Sequence, residues 1–310
     1  MNTGIHTFSL CIKSSYSDIK NILQKNEYIT MNKDKYLLNK LHCITKYKKY
    51  GVEILLNQSY NRPSFITVIV NPSSLLADEY RPIDLFKADS KKTVKLLKQK
   101  LYSILKEIGI NVKNADISLS RCDLTKDMYL PNYADIPFML KIFEKSYITD
   151  KRLKVDIQKH SWTIKNKSRE FCVYNKTYEL KNRHNIDTDD NILRLELRLS
   201  RKSMPKKYKS KSWTDELFKL YADHNKLIDS FIRKIHQNFE RVVSYDEAIQ
   251  IIDGSKYRQK TKHQLKKIIK KASTCNSLAD ARKKCEIRKD KFIKLLDKFS
   301  EMGICAITKD

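Results

Sequence analysis

The chain has 310 residues, enough for one large domain or for two smaller ones that each bury a core, and we expect two. Lysine and arginine number 63 against 36 aspartate and glutamate, which leaves a formal net charge of +27. This excess favours a polyanionic partner such as nucleic acid, because each neutralised phosphate releases condensed counterions. An A/T-rich gene would also raise the lysine content, but it would not leave the acidic residues so far behind.

The sequence argues against several classes of protein. No stretch reaches the roughly 18 apolar residues needed to cross a bilayer, and the N-terminus lacks the pattern of a signal peptide, so we expect a cytoplasmic protein with no membrane partner. The seven cysteines form no Cys-x-x-Cys pair, which argues against a disulfide framework and a zinc site. The five glycines lie too far apart for a phosphate-binding loop.

Hydrophobic patterns in the first part of the chain predict both strands and helices. Apolar residues at helical spacing predict a long helix at 91–109, which Gly109 would end. The other predicted elements are strands at 5–12 and 64–70, a hairpin of 40–47 and 51–57, and a short helix at 17–24.

Three segments in the middle of the chain carry charged residues at strand spacing, in which successive side chains point to opposite faces. Arg121 and Asp123 share one face of the first segment, and a helix at 134–145 and strands at 155–164 follow it. The second segment is predicted to be a strand from Phe171 to Glu179, with Tyr174, Lys176 and Tyr178 on one face. In the third, a charged face of Arg194, Glu196 and Arg198 lies opposite Leu193, Leu195, Leu197 and Leu199, which would pack on a core.

These three strands resemble the rolling-circle replication initiators of plasmids and filamentous phages, in the replication initiation factor and relaxase-like branch that lacks a His-x-His pair. The resemblance rests on the motifs Arg-x-Asp-Leu, Tyr-x-Lys-x-x-Glu and Arg-x-Glu-x-Arg-Leu, in that order, within residues 115–240. It implies a metal-dependent DNA nickase and strand transferase that forms a covalent tyrosine–DNA intermediate. None of the seven histidines forms a His-x-His pair, which fits the branch in which carboxylates hold the metal.

The resemblance also assigns roles to single residues. Tyr174 would be the nucleophile, with Tyr178 in reserve, and Lys176 would stabilise the phenolate and the phosphate. The alternative for Tyr174 is a tyrosine half-buried in a sheet, and a solvated strand position explains Lys176 equally well.

The metal and DNA ligands are predicted from the charged faces. Asp123 and Glu196 are the best ligands for Mg²⁺ or Mn²⁺, because an unpaired carboxylate would be costly between apolar strand neighbours. Asn175 stands where related sequences commonly have aspartate, which removes one possible ligand. Asp127 and Glu179 are weaker metal ligands, and the DNA-binding candidates of this region are Arg121, Arg194 and Arg198. The alternative is that these arginines simply pair with the carboxylates.

The last part of the chain is predicted to be helical. A helix is expected over 214–239 and a linker over 244–259. Three short amphipathic helices then favour a helix-turn-helix; the second would begin with a capping box at Ser277. The apolar faces of this three-helix module are Leu265, Ile268, Ile269 and Ala272 in the first helix and Phe292, Leu295, Leu296 and Phe299 in the third. The expected DNA contacts are Arg288, Lys289, Lys291, Lys294 and Lys298, and the alternative is a helical bundle whose lysines are solvated.

We therefore predict an α+β fold at 1–243, an antiparallel sheet with helices on one face and ferredoxin-like repeats, followed by an all-α helix-turn-helix domain at 255–310. The predicted function is initiation of rolling-circle replication of a plasmid or phage. It would nick one strand at an origin, bind duplex and single-stranded DNA, and depend on a separate helicase. A non-catalytic origin-binding or regulatory protein is the alternative. An RNA-binding module fits less well, because an interleaved aromatic strand motif is missing. The sequence leaves the oligomeric state open.

Overall fold

The computed structural model describes residues 2–31, 39–59, 63–235 and 241–309. Within these ranges it contains ten strands and eleven α-helices, which confirms the predicted α+β class. The strands are β1 (Asn2–Ser14), β2 (Ile29–Thr30), β3 (Asn39–Ile44), β4 (Val52–Ser59), β5 (Ser64–Val70), β6 (Ile117–Leu130), β7 (Lys154–Gln158), β8 (Ser161–Lys165), β9 (Arg169–Asn175) and β10 (Asn191–Ser200). The helices are α1 (Tyr16–Lys25), α2 (Pro72–Ala77), α3 (Lys91–Glu107), α4 (Asp135–Glu144), α5 (Lys176–His184), α6 (Trp213–Ala222), α7 (His224–Lys234), α8 (Tyr245–Gly254), α9 (Gln259–Thr274), α10 (Leu278–Lys284) and α11 (Lys289–Glu301).

The strands form one sheet in the order β2-β3-β4-β5-β1-β6-β10-β9-β8-β7. Strand β1 pairs antiparallel with both β5 and β6, so Phe8 lies opposite Val70 on one side and Cys122 on the other. In β4, buried and half-buried residues alternate, as expected when one face of an antiparallel strand packs on a core. None of the described helices is long and apolar enough to cross a membrane.

The chain divides into two compact units. The first comprises Met1–Asp127, Lys167–Glu170 and Glu196–Asn225. Its α3 buries an apolar stripe and stops before Gly109, whose positive φ of 97° suits glycine. In the same unit Trp213 of α6 stacks on Phe8, with 5.6 Å between the ring centroids.

The second unit comprises Met128–Asn166, Phe171–Leu195 and Lys226–Asp310. Trp162 is fully buried in it, next to Phe143. The C-terminal helices are anchored to the segment after α4, where the Leu278 amide donates to the Lys145 carbonyl (3.0 Å) and Lys145 Nζ donates to the Ala272 carbonyl (2.9 Å).

An aromatic contact reinforces this packing, because Tyr147 meets the buried ring of Phe292 edge-on at 5.1 Å. The predicted apolar faces of α9 and α11 are buried, and Ser277 caps α10. The boundary expected between residues 243 and 255 lies inside the second unit, so an independent C-terminal domain stays a prediction.

Three sequence expectations need correction. The strand expected to reach Glu179 ends at Asn175, because the Asn175 side chain accepts from the Tyr178 amide (2.8 Å) and starts α5. The expected linker contains α8, which Ser244 caps and which buries Ala248 and Ile252. The expected helix at 214–239 is two helices, α6 and α7, and its residues 236–239 lie outside the described part of the chain.

Candidate functional site

A cluster of charged side chains lies on neighbouring strands of the first unit. We call it the carboxylate cluster; it consists of His6 and Thr7 on β1, Arg121 and Asp123 on β6, Glu170 on β9, and Glu196 and Arg198 on β10. The strand parity predicted from the sequence places Arg121 beside Asp123 and Glu196 beside Arg198, and both pairs are ion pairs.

Asp123 is completely buried and receives hydrogen bonds from two side chains. Arg121 donates through Nε to Oδ1 (2.7 Å) and through Nη2 to Oδ2, and Thr7, which lies opposite Asp123 in the β1–β6 pairing, donates to Oδ2. The bond to Asp123 raises the pKa of Arg121 further, so the guanidinium is a permanent cation. The Arg121 side chain nevertheless keeps 41% of its surface exposed.

Glu196 is also buried, with 1% of its surface exposed. Its Oε1 lies 3.2 Å from His6 Nδ1, and its Oε2 accepts from Arg198 Nη2 at 3.1 Å. Arg198 also donates through Nη1 to Glu170 Oε1 at 2.6 Å, and its side chain is 33% exposed. Two half-exposed guanidinium groups therefore cover two buried carboxylates.

Two β-bulges frame this part of the sheet. The β1–β6 register slips between Ile5 and Thr7, where His6 is the extra residue, and slips back between Ser9 and Leu10, where Ser120 is the extra residue on β6. Bulges re-aim side chains and are frequent beside functional sites. Sequence reasoning missed His6 because its contact with Glu196 joins residues that are 190 positions apart.

The carboxylate cluster does not fit a divalent ion in this arrangement. Each oxygen of Asp123 and Glu196 already meets an arginine, threonine or histidine side chain. Across the described residues, no three His, Cys, Asp or Glu side chains are grouped so that they could hold a metal. Asp127, a weaker candidate, is buried further along β6. The predicted Mg²⁺ or Mn²⁺ site stays a prediction.

The tyrosine candidates lie in the second unit. Tyr174 is half-buried near the end of β9, between buried Val173 and Asn175. Tyr178 is 38% exposed in the first turn of α5, and its ring stacks on His160 with 3.6 Å between centroids. The strand geometry that predicted a shared face for the two tyrosines is wrong, because α5 begins between them.

The remaining candidates of the second unit are mostly buried. Lys176 is buried at the start of α5 and donates through Nζ to Glu179 Oε2 at 2.7 Å, so the weaker metal candidate Glu179 has a lysine partner. Arg194 on β10 is completely buried.

A polar pocket of about 250 Å³ lies beside Tyr178. Tyr133, Lys181 and Asn182 also line it, and Tyr133 Oη accepts from Asn175 Nδ2 at 3.0 Å. The asparagine that starts α5 thus also positions an aromatic side chain of the pocket. Asp187 also lines the pocket, and its Oδ1 lies 3.2 Å from Lys181 Nζ in an exposed ion pair.

The predicted DNA contacts of α11 differ in their surroundings. Arg288, Lys289, Lys291 and Lys294 are exposed at the start of the helix and along it. Lys298 is not equivalent, because its Nζ lies 4.2 Å from the centre of the Tyr257 ring, a cation–π contact. Lys298 therefore has a structural partner, and the helix-turn-helix role of α9–α11 stays a prediction.

The chain matches a known protein family. The family described as the N-terminal region of a phage replication-associated protein matches residues 15–216, well over half of the chain. The match includes Asp123, Tyr174, Tyr178 and Glu196 and excludes His6 and the C-terminal helices. No curated protein matches the chain. The chain belongs to this family of phage replication-associated proteins, and the membership supports a role as an initiator of rolling-circle replication.

Proposed function

We propose that the protein starts rolling-circle replication by cutting one DNA strand at a specific origin and by joining a tyrosine to the 5′ phosphate. The family match over residues 15–216 carries this proposal. A tyrosine nucleophile suits the task because the phosphotyrosine bond conserves the energy needed for later rejoining.

Tyr178 is the better candidate for the nucleophile, ahead of Tyr174. A nucleophile must reach a phosphate on a large substrate, and Tyr178 is exposed beside a polar pocket whereas Tyr174 is half-buried within β9. Lys181 lines the same pocket, and its ion pair with Asp187 is exposed and therefore weak, so a phosphate can compete for the ammonium group. The start of α5 adds the positive end of the helix dipole.

The reaction exchanges one phosphodiester for another. The tyrosine oxygen attacks the phosphorus and loses its proton to a base, a P–O bond to tyrosine forms, and the bond to the 3′ oxygen breaks. That oxygen takes up a proton, which leaves a free 3′ hydroxyl for a polymerase. Lys176 is buried and paired with Glu179, so its proposed role is to hold the first turn of α5. Arg121 and Arg198 are half-exposed and suit contact with a DNA phosphate, whereas buried Arg194 does not.

A cleavage assay with tyrosine variants tests the proposal. Supercoiled replicon DNA and a single-stranded origin oligonucleotide are incubated with protein and Mg²⁺ or Mn²⁺, and the covalent adduct is resolved on a denaturing gel. We expect Tyr178→Phe to abolish the adduct with nearly unchanged DNA affinity, because only the nucleophilic oxygen is lost. Tyr80→Phe, at another exposed tyrosine, is the matched control and should cleave normally.

The other outcomes discriminate between the alternatives. Loss of the adduct in Tyr174→Phe alone would assign the nucleophile to Tyr174. An adduct that survives in the double variant, or no cleavage by the unmodified protein, would contradict the tyrosine mechanism. One observation favours a non-catalytic origin-binding protein in that case: Asp123 and Glu196 are both neutralised by arginines, as in a purely structural ion-pair network.

A further inference from the structure

A groove on the surface of the first unit lies between α3 and α6, away from the carboxylate cluster and from the polar pocket beside Tyr178. Its volume is about 230 Å³. The residues that line it are Lys91, Val94, Lys95 and Lys98 of α3 and Thr214, Asp215 and Phe218 of α6. Lysine ammonium groups and an aromatic ring therefore share one concave surface.

Helical spacing places the three lysines in a row. They occupy positions i, i+4 and i+7 of α3, which lie on one side of a helix and span about 10 Å at a rise of 1.5 Å per residue. The apolar stripe of α3 packs on the core, so the row of lysines stays at the surface beside it. Lys91 and Lys95 are exposed, and Lys98 is half-buried.

The two walls of the groove are joined through Trp213, the buried first residue of α6. Its Nε1 donates to Tyr102 Oη of α3 at 3.3 Å, and its ring stacks on Phe8 of β1. Lys98 Nζ lies 5.1 Å from the centre of the Tyr102 ring. A tryptophan side chain therefore contacts both a wall of the groove and the sheet.

The groove and the carboxylate cluster lie on opposite faces of the sheet. Trp213 packs on Phe8, whereas Thr7, the preceding residue of β1, donates to Asp123 in the cluster. Successive side chains of a strand point to opposite faces. The groove is therefore a second surface and not an extension of the carboxylate cluster.

Positive charge dominates the groove. Among the described residues that line it, Asp215 is the only acid, and it is exposed. Within the described ranges, Lys91 and Lys95 form no ion pair, and the contact of Lys98 is with an aromatic ring. By contrast, Lys100 on another side of α3 pairs with Asp78 at 2.5 Å. Three ammonium groups against one carboxylate favour an anionic ligand.

The aromatic ring selects among anions. Proteins bind single strands of nucleic acid in positively charged grooves with aromatic side chains on which bases stack. Phe218 is half-buried and supplies such a ring, and lysine binds phosphate as a point charge. A duplex would bring phosphates to the lysines, but its bases are already stacked within the helix and would not reach Phe218.

We propose that the groove between α3 and α6 binds a single DNA strand, with phosphates on Lys91, Lys95 and Lys98 and a base against Phe218. The site reads no sequence, because it contacts phosphates and the face of a base. This inference rests on the proposed function only for the source of the strand, which is the one displaced at the nicked origin.

Binding of a labelled dT oligonucleotide to the full-length protein tests the lysines, followed by fluorescence anisotropy at several salt concentrations. We expect Lys91→Gln/Lys95→Gln/Lys98→Gln to lower the affinity about tenfold at low salt. It should also reduce the slope of log K against log salt by about 2, because each phosphate contact on a single strand contributes about 0.7.

A matched variant controls for general loss of positive charge. Lys20, Lys106 and Lys113 are exposed lysines of the same unit that do not line the groove. Lys20→Gln/Lys106→Gln/Lys113→Gln removes the same number of charges and should leave the salt slope unchanged.

Variants of Phe218 test the base contact separately from charge. Phe218→Leu keeps an apolar side chain but loses the ring, so dT binding should weaken about fivefold or more, with an unchanged salt slope. Phe218→Tyr retains a ring and should bind like the unmodified protein. In a Trp162→Phe background, Trp213 is the sole tryptophan, and dT should change its emission because Trp213 adjoins the groove.

Three results would overturn the inference. Equal losses in the groove and control lysine variants would show that these lysines contribute only to the overall charge. An unchanged Trp213 emission at saturating dT would place the strand elsewhere. Poly-glutamate that changes this emission at the same concentration as dT would indicate an acidic protein segment as the partner.

The readouts are independent of each other and of cleavage. If circular dichroism shows that the lysine variant is unfolded, the Phe218 pair and the Trp213 emission decide. A failure here leaves the nicking proposal standing, and a protein that does not nick can still be measured in these assays.

Discussion

Truncation of Phe292 tests whether the C-terminal helices fold together with the rest of the second unit. Phe292 is completely buried on α11 and meets Tyr147 edge-on at 5.1 Å. Phe292→Ala removes a buried ring and leaves a cavity, which costs about 3–5 kcal/mol. The lost aromatic pair falls within this cost and accounts for about 1 kcal/mol of it.

The two tryptophans provide the assay, because one lies in each unit. In a Trp213→Phe background, Trp162 is the sole tryptophan and reports the unfolding of the second unit. With a urea slope of about 2 kcal/mol per M, a loss of about 4 kcal/mol lowers the midpoint of the Trp162 transition by about 2 M. We expect this shift because Lys145 and Tyr147 join the helices to the segment that follows α4.

An unshifted Trp162 transition would refute this reasoning. It would show that residues 255–310 unfold independently, as the sequence predicted. Deletion of these residues would then be a clean test of origin binding. If the shift occurs, point variants on α11 are the better test, because deletion would expose Tyr147 and Lys145.

Three further outcomes are expected. Arg288→Gln and Lys291→Gln should each weaken origin binding by about 1–3 kcal/mol if the side chain reads a base. Lys154→Gln on the exposed β7 is the control and should leave origin binding unchanged. Equal titration curves for all three variants would exclude α11 as the helix that recognises the origin. Nicking should stop with EDTA and return with Mg²⁺ or Mn²⁺, and nicking that persists in EDTA would remove the metal from the mechanism. Burial lowers the pKa of His42 below 6.5, so the folded state resists its protonation. The free energy of unfolding should therefore fall as the pH drops below 6.5. In urea titrations at several pH values, His42→Gln should reduce this loss.

Much of the secondary structure was predictable, and the errors have local causes. The leucine alternation of β10 and the apolar faces of α9 and α11 gave correct elements, because burial enforces their periods. Helix α8 was missed although Ser244 and Glu247 have the spacing of a capping box. The strand through Tyr178 was wrong because alternation continued past Asn175, whose tendency to cap helices was the overlooked signal.

The candidate site was only partly predictable. Arg121 and Asp123 are two positions apart in one strand, so their side chains share a face and their pairing could be predicted from the sequence. The contributions of His6 and Glu170 depend on which strands become neighbours, and no local pattern encodes that choice. The two bulges are visible in the spacing of the buried residues. Ile5 and Phe8 are three positions apart, as are Leu119 and Cys122, whereas a regular strand buries every second residue.

The two bulges also allow the site to change while the alignment of the strands in the sheet is kept. Each adds one residue, one on β1 and one on β6, so their shifts cancel and the strands keep the same alignment at both ends. Loss of His6 alone would turn the residues before it to the opposite face. Loss of His6 together with Ser120 would restore regular β1–β6 pairing throughout and remove the two bulges on either side of Asp123. A lineage could therefore gain or discard this site through two single-codon events without rebuilding its fold.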